Sequence, residues 1–416
     1  MKASIRLEHE LLAVEREHEV NAMLELTAPG APAGAARPPL SVALVIDRSG
    51  SMAGRKLEVA RECAAFLVRR LAPGDHLAVV TYDDAVQLIV PLGALDREAA
   101  LASIAGIATG GQTNLSGGWL AALEQLRGAP ADGPRKILLL SDGLANVGIT
   151  GGAELAVLAG SAAENGVGTT TIGFGDGFDE ELMSAMADAG RGRAYYAASP
   201  EEAPGIFAEE FEGLLALVAQ NVSVEIRPSG AVEMLGVLND HPAVTTSQGV
   251  QVQLGDAFAD ETRRVVFTLR VPNLAALGVA KVADLVLRYA SVGAQVGLHE
   301  LTVPVMVNAV SAEEAAASGP DAEVADEVLI LKAARAQEEA MRLADQGRFD
   351  QAKKRLTGAA SELRAAAPGS AKAAELLEQA ERMDVVMPSM APASYDAAAR
   401  KQMFYEQRMR KQRRKR

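Results

Sequence analysis

Four short runs without a charged residue, apolar but for Thr81, Ser141 and the threonines of the last, constrain the fold of this chain more than any other feature: Val42–Ile46, Leu77–Tyr82, Ile137–Ser141 and Gly168–Gly173. Between them lie stretches with helical periodicity at Lys56–Arg70, Ala99–Ile107, Leu115–Leu126, Gly152–Asn165 and Asp179–Ala189. A strand that is apolar at every position must be buried on both faces, and intervening helices supply that cover. The segment from Ser41 to about Leu217 is therefore expected to form a doubly wound α/β domain around a mostly parallel sheet, with boundaries at 37–217. Ligands of such sheets bind beyond the carboxyl ends of the strands.

The flanking segments follow other periods. Ser4–Val14 and Glu17–Leu26 alternate like strands, and a Pro/Gly/Ala-rich linker, Ala28–Pro39, follows them. From Gln220 to Val310 helical periodicity is lost. Strand-like stretches recur at Val222–Arg227, Val232–Val237, Val250–Leu254, Arg264–Val271, Val282–Tyr289 and His299–Val307, a spacing that predicts an antiparallel sandwich over 218–310. The strands of 1–36 have no sheet of their own and are expected to complete this sandwich, which makes the α/β domain an insertion within it. From Ala322 to Met383 strong helix formers dominate. Gly347 separates two amphipathic segments, across which Ala344, Phe349 and Ala352 are expected to pack, giving a helical hairpin at 318–386. Pro388 and Pro392 then begin a linker and basic tail, 387–416.

Length and charge agree with a multidomain chain. Its 416 residues suggest two to four domains, and 49% apolar content supplies a substantial core. The formal net charge of −13 is uneven, because Asp396–Arg416 holds nine Lys/Arg against two Asp/Glu. The acidic body would repel nucleic acid, whereas the tail Arg408–Arg416 would attract an anionic partner or stand as a solvated end. A single cysteine, Cys63, excludes an internal disulfide and reads as a small core residue. The first residues carry no continuous apolar stretch, and no window approaches the roughly 20 apolar residues of a membrane helix. A cytoplasmic location is expected on those grounds.

Chemistry concentrates after the first apolar run, at Asp47-Arg48-Ser49-Gly50-Ser51-Met52. One carboxylate and two hydroxyls alternate in a loop at a strand's carboxyl end. Hard oxygen donors of this kind suit Mg²⁺, with Mn²⁺ and Ca²⁺ as alternatives. Gly110-Gly111-Gln112-Thr113-Asn114 presents Thr113 just before a helix, and Ser141-Asp142-Gly143 places Asp142 at a second carboxyl end. Right-handed crossovers allow the strands bearing Asp47 and Asp142 to lie close together. Asp47, Ser49, Ser51, Thr113 and Asp142 can then surround one cation and leave a position for an outside ligand. Taken singly, each has a plainer explanation: the serines can cap a helix, and Asp142-Gly143 can be an ordinary turn.

At these residues the chain resembles the von Willebrand factor A domain and its metal-ion-dependent adhesion site. The family pattern of Asp-x-Ser-x-Ser, then Thr, then Asp occurs in order and on the expected elements. The resemblance covers about Pro39–Leu217 and extends to Thr171-Ile172-Gly173-Phe174-Gly175 and to Gly190-Arg191-Gly192-Arg193-Ala194-Tyr195-Tyr196. The flanking architecture is similar to that of bacterial multidomain members. The resemblance implies a non-enzymatic, cation-dependent protein–protein interaction module whose bound metal is completed by an acidic residue of the partner.

Other signals are weaker. Asp83-Asp84 reads as a solvated turn after a strand. The five histidines (His9, His18, His76, His241, His299) are scattered with no His-Glu-x-x-His. Gly173–Gly177 lacks dinucleotide-loop spacing and reads as a flexible loop. Two alternatives remain: a Mg²⁺-dependent phosphohydrolase with Asp47 as nucleophile, and a nucleic-acid-associated adaptor acting through the tail. The first lacks a second acidic residue at position 49, and Phe404 and Tyr405 offer the second only slender aromatic support. The partner's identity, the process and the oligomeric state stay open.

Overall fold

The computed structural model describes residues 1–30, 38–130, 133–292, 297–392 and 394–412, with the backbone of Arg414–Lys415. The chain begins with three strands, β1 (Lys2–Leu7), β2 (Leu11–Ala13) and β3 (His18–Thr27). The α/β domain follows, with strands β4 (Ser41–Asp47), β5 (His76–Tyr82), β6 (Val86–Val90), β7 (Arg135–Ser141), β8 (Val167–Phe174) and β9 (Arg191–Ala197). Its helices are α1 (Arg55–Arg70), α2 (Arg97–Ala105), α3 (Leu115–Arg127), α4 (Gly152–Glu164), α5 (Glu180–Ala189) and α6 (Ala203–Leu215). The strand order is β6-β5-β4-β7-β8-β9, parallel except for β6.

Every residue of β4 is buried, as its unbroken apolar run requires. Val42, Leu44 and Ile46 pack on the face covered by α1, α2 and α6, while Ala43 and Val45 meet α3, α4 and α5 on the other. This is the two-residue alternation of a strand with a core on each side. Cys63 lies in the first of these cores, 1% exposed.

The sandwich strands are β10 (Leu217–Pro228), β11 (Glu233–Val237), β12 (Ala243–Thr245), β13 (Val250–Phe258), β14 (Thr262–Val271), β15 (Gly278–Ser291) and β16 (Gly297–Val310). As the orphan strands required, the N-terminal segment completes it. β3 runs antiparallel to β14 from Thr27↔Thr262 to His18↔Val271, and β1 lines β3. The stretch Ser4–Val14 is not one strand. It breaks at Glu8–Glu10 and sends β2 to the opposite sheet, where β2 pairs parallel with β16, so the sandwich is not wholly antiparallel. The α/β domain is inserted between β3 and β10. The Pro29 carbonyl accepts from the Asp260 amide, and the Ala216 carbonyl accepts from the Ala259 amide, so the chain leaves and rejoins the sandwich at one turn.

The helical region is larger than a hairpin. After a short α7 (Ala312–Ala317), α8 (Ala322–Asp345) and α9 (Phe349–Ala366) turn back at Gly347, whose φ of 75° suits glycine. Ala344 and Ala352 are buried across that turn and Phe349 is partly buried. α10 (Ala373–Val386) and α11 (Ala397–Gln412) extend the same core.

The basic segment also departs from expectation: as far as Gln412 it is helix, not a solvated tail. Lys401 pairs with Glu180 at 2.7 Å, Arg400 pairs with Glu181 and Asp345 at 3.1 Å each, Arg408 pairs with Asp188, and Lys411 with Glu338. Tyr405 stacks on Tyr196, with ring centroids 5.5 Å apart. The anionic partner expected for Arg408–Arg416 is, for Arg408 and Lys411, the acidic surface of the chain itself. Beyond α11 the backbone of Arg414–Lys415 forms β17 against β14, and positions 413 and 416 lie outside the described residues. Among the described residues no helix is long and apolar enough to cross a membrane.

Candidate metal centre

Parallel pairing of β4 with β7 brings the ends of both strands to one rim of the sheet. Asp47 closes β4 and is fully buried; Asp142 follows β7 and is 1% exposed. Ser49 begins a tight turn, its amide donating to Asp47 Oδ1 at 2.8 Å. The Ser49 and Ser51 hydroxyls lie 3.1 Å apart, and Ser51 donates to Asp142 Oδ1 at 2.7 Å. The other Asp47 oxygen accepts from the Ser141 hydroxyl at 2.7 Å. Gly143 sits under the remaining hydroxyl: a Cβ there would lie 3.2 Å from Thr113 Oγ1 and 3.5 Å from Ser51 Oγ. All five residues singled out in the sequence therefore come to one place. Ser51 is its exposed member, so the cluster opens to solvent on that side.

Neighbouring loops hold Thr113 in position. The Gly110 amide donates to the Arg48 carbonyl at 2.7 Å, and the Gly50 amide to the Gly111 carbonyl at 3.0 Å. Thr113 donates its amide to Asn146 Oδ1 at 2.8 Å and accepts the Asn146 amide at 3.1 Å. Gly110 must lack a side chain, because a Cβ would stand 1.6 Å from Asp83 Oδ2. Asp83 is consequently not a solvated turn residue. It is buried, pairs with Arg48 at 2.9 Å and accepts the Ala85 amide at 2.8 Å. Burial alone would raise its carboxyl, but these donors and the Gly111 amide hold it below the usual aspartate range.

The electrostatics of the cluster are those of anions short of countercharge. Burial pushes the Asp47 carboxyl above its ordinary value, the Ser141 and Ser49 donors pull it back only in part, and the Asp142 charge adds to the rise. Tyr82, packed beneath at the end of β5, is raised well above the usual phenol by burial and by the Asp47 charge. Among the described residues one cation touches the cluster: Lys56, in the first turn of α1, places Nζ 2.5 Å from Asp142 Oδ2.

Ser141, Lys56 and Asn146 were not singled out by the sequence. Ser141 adjoins Asp142, which is its one local signal; Lys56 and Asn146 are placed by long-range contacts that no local pattern carries. Among the described residues no group of three or more His, Cys, Asp and Glu side chains is arranged to hold a metal, so any cation here would depend on hydroxyls. A cavity of about 550 Å³ lies elsewhere, between the α/β domain and the helices, walled by Tyr195, Tyr196, Gln379 and Tyr405.

Comparisons with known proteins agree with this architecture. The family profile described as the von Willebrand factor type A domain matches residues 41–209. Protein sll0103 of Synechocystis sp. is 26% identical over 57% of this chain and 59% of its own length. YfbK of Escherichia coli is 28% identical over 56% of this chain and 42% of its own length. The chain thus spans about half the length of these curated relatives. A solved structure, a von Willebrand factor type A protein from Catenulispora acidiphila, has the same fold across 100% of this chain and 97% of that one, with a TM-score of 0.71 at 17% identity. Residues 41–209 thus match the von Willebrand factor type A domain, and this α/β domain is set into a larger body of sandwich and helices.

Proposed function

We propose that Asp47, Ser49, Ser51, Thr113 and Asp142 hold a divalent cation, Mg²⁺ or Mn²⁺ foremost, and that the loaded site grips an acidic side chain of a protein partner. The observation that carries this reading is the convergence of two buried carboxylates and three hydroxyls on one solvent-open point. The donor set fits such an ion: every member is a hard oxygen, with no imidazole or thiolate to favour softer metals. When bound, the cation supplies a Lewis-acidic centre with room for an external oxygen ligand. The chain's own part is positional. Ser141 and the Ser49 amide fix the Asp47 carboxylate, and Asn146 and the Gly110–Gly111 turn fix Thr113.

A phosphohydrolase reading gains nothing from the geometry, since position 49 holds a serine, hydrogen-bonded to Ser51, where such chemistry wants a second acidic side chain. The nucleic-acid reading loses Arg400, Lys401, Arg408 and Lys411 to internal ion pairs.

Mn²⁺ titration followed by water-proton relaxation tests the proposal. The wild type should bind one Mn²⁺ with a strongly relaxing, water-accessible site, and acetate should reduce that relaxation by replacing water. Asp47→Ala should lose the binding while keeping its circular dichroism. Unchanged Mn²⁺ binding by Asp47→Ala would refute the site.

A further inference from the structure

Lys56 is a cation placed against local preference. It lies in the first turn of α1, where the helix dipole favours anions over cations. Its neighbour Arg55 points outward to Glu58, Glu62 and Glu201. Arg48, on the other side of the loop, is taken by Asp83. Lys56 alone of these three turns inward, and its ammonium meets the Asp142 carboxylate at 2.5 Å while Ser51 holds the other oxygen at 2.7 Å. Its stem passes over Gly175, where a Cβ would be 3.8 Å from both Cε and Nζ. The Lys56 side chain is 31% exposed and that of Asp142 is 0% exposed, so the pair is shielded from solvent on the carboxylate side only.

Charge counting gives this contact a consequence. Two aspartates and a dication sum to zero, and a neutral site has little reason to attract a further carboxylate. A fixed ammonium on Asp142 leaves the loaded site one positive charge in excess, which an incoming carboxylate would neutralise. The same ammonium repels the dication and competes for Asp142, and both effects are strong at this separation with one partner buried.

We propose that Lys56 is the specificity-determining residue of the site: it weakens cation binding and, by keeping the loaded site positive, makes it select an anionic carboxylate from the partner. This rests on the metal-site reading above. Lys56→Gln removes the charge, and Lys56→Arg keeps it.

The experiment measures two quantities on the full chain: Mn²⁺ affinity, and the acetate concentration that displaces water from the Mn²⁺-loaded protein. Relative to wild type, Lys56→Gln should bind Mn²⁺ about tenfold more tightly and take acetate several-fold more weakly, as expected for loss of one nearby charge. Lys56→Arg should stay near wild type in both. Opposite movement of the two affinities is what a merely structural lysine would not produce. Affinities that stay unchanged, or that fall together, overturn the inference. If Lys56→Gln does not fold, the wild type decides by acylation footprinting. Lys56 should remain as slowly acylated with saturating Mn²⁺ as without it, and a rise on loading would mean that the lysine is expelled and the inference is wrong. Failure of the metal-site reading is recognised separately, by Asp47→Ala binding Mn²⁺ like wild type.

Discussion

Glu225 and Asp83 share a construction that local pattern announces only in part: a carboxylate sunk between one donor two residues on and others that arrive from distant strands or loops. Glu225, on β10, accepts from Arg227 at 2.6 Å, Thr246 at 2.8 Å and Arg288 at 3.0 Å. Burial works to raise its carboxyl, but the hydrogen bonds and charges of Arg227, Thr246 and Arg288 prevail and bring it down to about 2 from an ordinary 4.5. The folded state therefore holds this proton more weakly than the unfolded chain does. The resulting stability is complete above about pH 4.5 and is lost as the pH falls toward 2. Urea unfolding of wild type and Glu225→Gln should show a stability gap on the order of 2 kcal/mol at pH 6 that narrows below about pH 4.5 and closes toward pH 2. A gap that does not change with pH would remove Glu225 from the acid response. The same physics limits what a sequence offers at this scale. Asp47, Ser49, Ser51, Thr113 and Asp142 were legible because type and order recur along the chain. The pairing of Asp83 with Arg48, or of Lys56 with Asp142, depends on loops meeting in space.

The element that most changed in meaning is α11. Its sequence carries helix signals: Asp396 caps it by accepting the Ala399 amide at 2.9 Å, and Glu406 and Arg410 stand four residues apart. The density of Lys and Arg concealed the face it buries against the α/β domain, which runs through Lys401, Tyr405 and Arg408, while Met403 packs in the helical core. That face could be read as buried only by knowing that Glu180 and Asp188 lie opposite, some 220 residues earlier. Tyr405 is the anchor, 6% exposed, stacked on Tyr196 and 6.3 Å from the Phe178 ring, over which Lys401 Nζ sits at 4.2 Å. Among the described residues its hydroxyl has no hydrogen bond of good geometry, Ser184 being the side chain beside it. Tyr405→Ala should thus cost about 3 kcal/mol through lost packing, while Tyr405→Phe should stay within about 1 kcal/mol of wild type. Chemical denaturation of both variants separates the contributions. A Phe variant as damaged as the Ala variant would mean that the hydroxyl, not the ring, holds the helix.

At the scale of the molecule, the insertion of one domain into another was legible and its mounting was not. The orphan strands at the N-terminus demanded a sheet, and β14 supplies it. The seating of the α/β domain depends on buried charges that the sequence leaves unpaired: Lys136 with Asp256 at 3.4 Å, and Arg193 with Glu261 at 3.4 Å. Glu210 is buried beside them, accepting from Thr170 at 2.7 Å and Tyr195 at 2.9 Å, with Lys136 and Arg193 keeping its carboxyl low against the cost of burial. Because Pro29 and Ala216 hydrogen-bond to successive residues, Asp260 and Ala259, the two ends of the insertion lie side by side. A few residues, at roughly 3.3 Å each, are enough to join them. Replacing residues 31–215 with a short Gly/Ser linker should leave a sandwich that still unfolds cooperatively. Its core, Val20, Leu24, Val224, Leu254, Phe267 and Leu285 among others, contains no residue of the α/β domain. Glu261 keeps Arg263 at 2.8 Å when Arg193 is gone, so the exposed seam retains a paired charge. Tm should fall, since α11 loses Tyr196 and Glu180, but the far-ultraviolet spectrum should stay rich in strand and the transition sharp. A non-cooperative melt with strong dye binding would show instead that the sandwich needs its insert to fold.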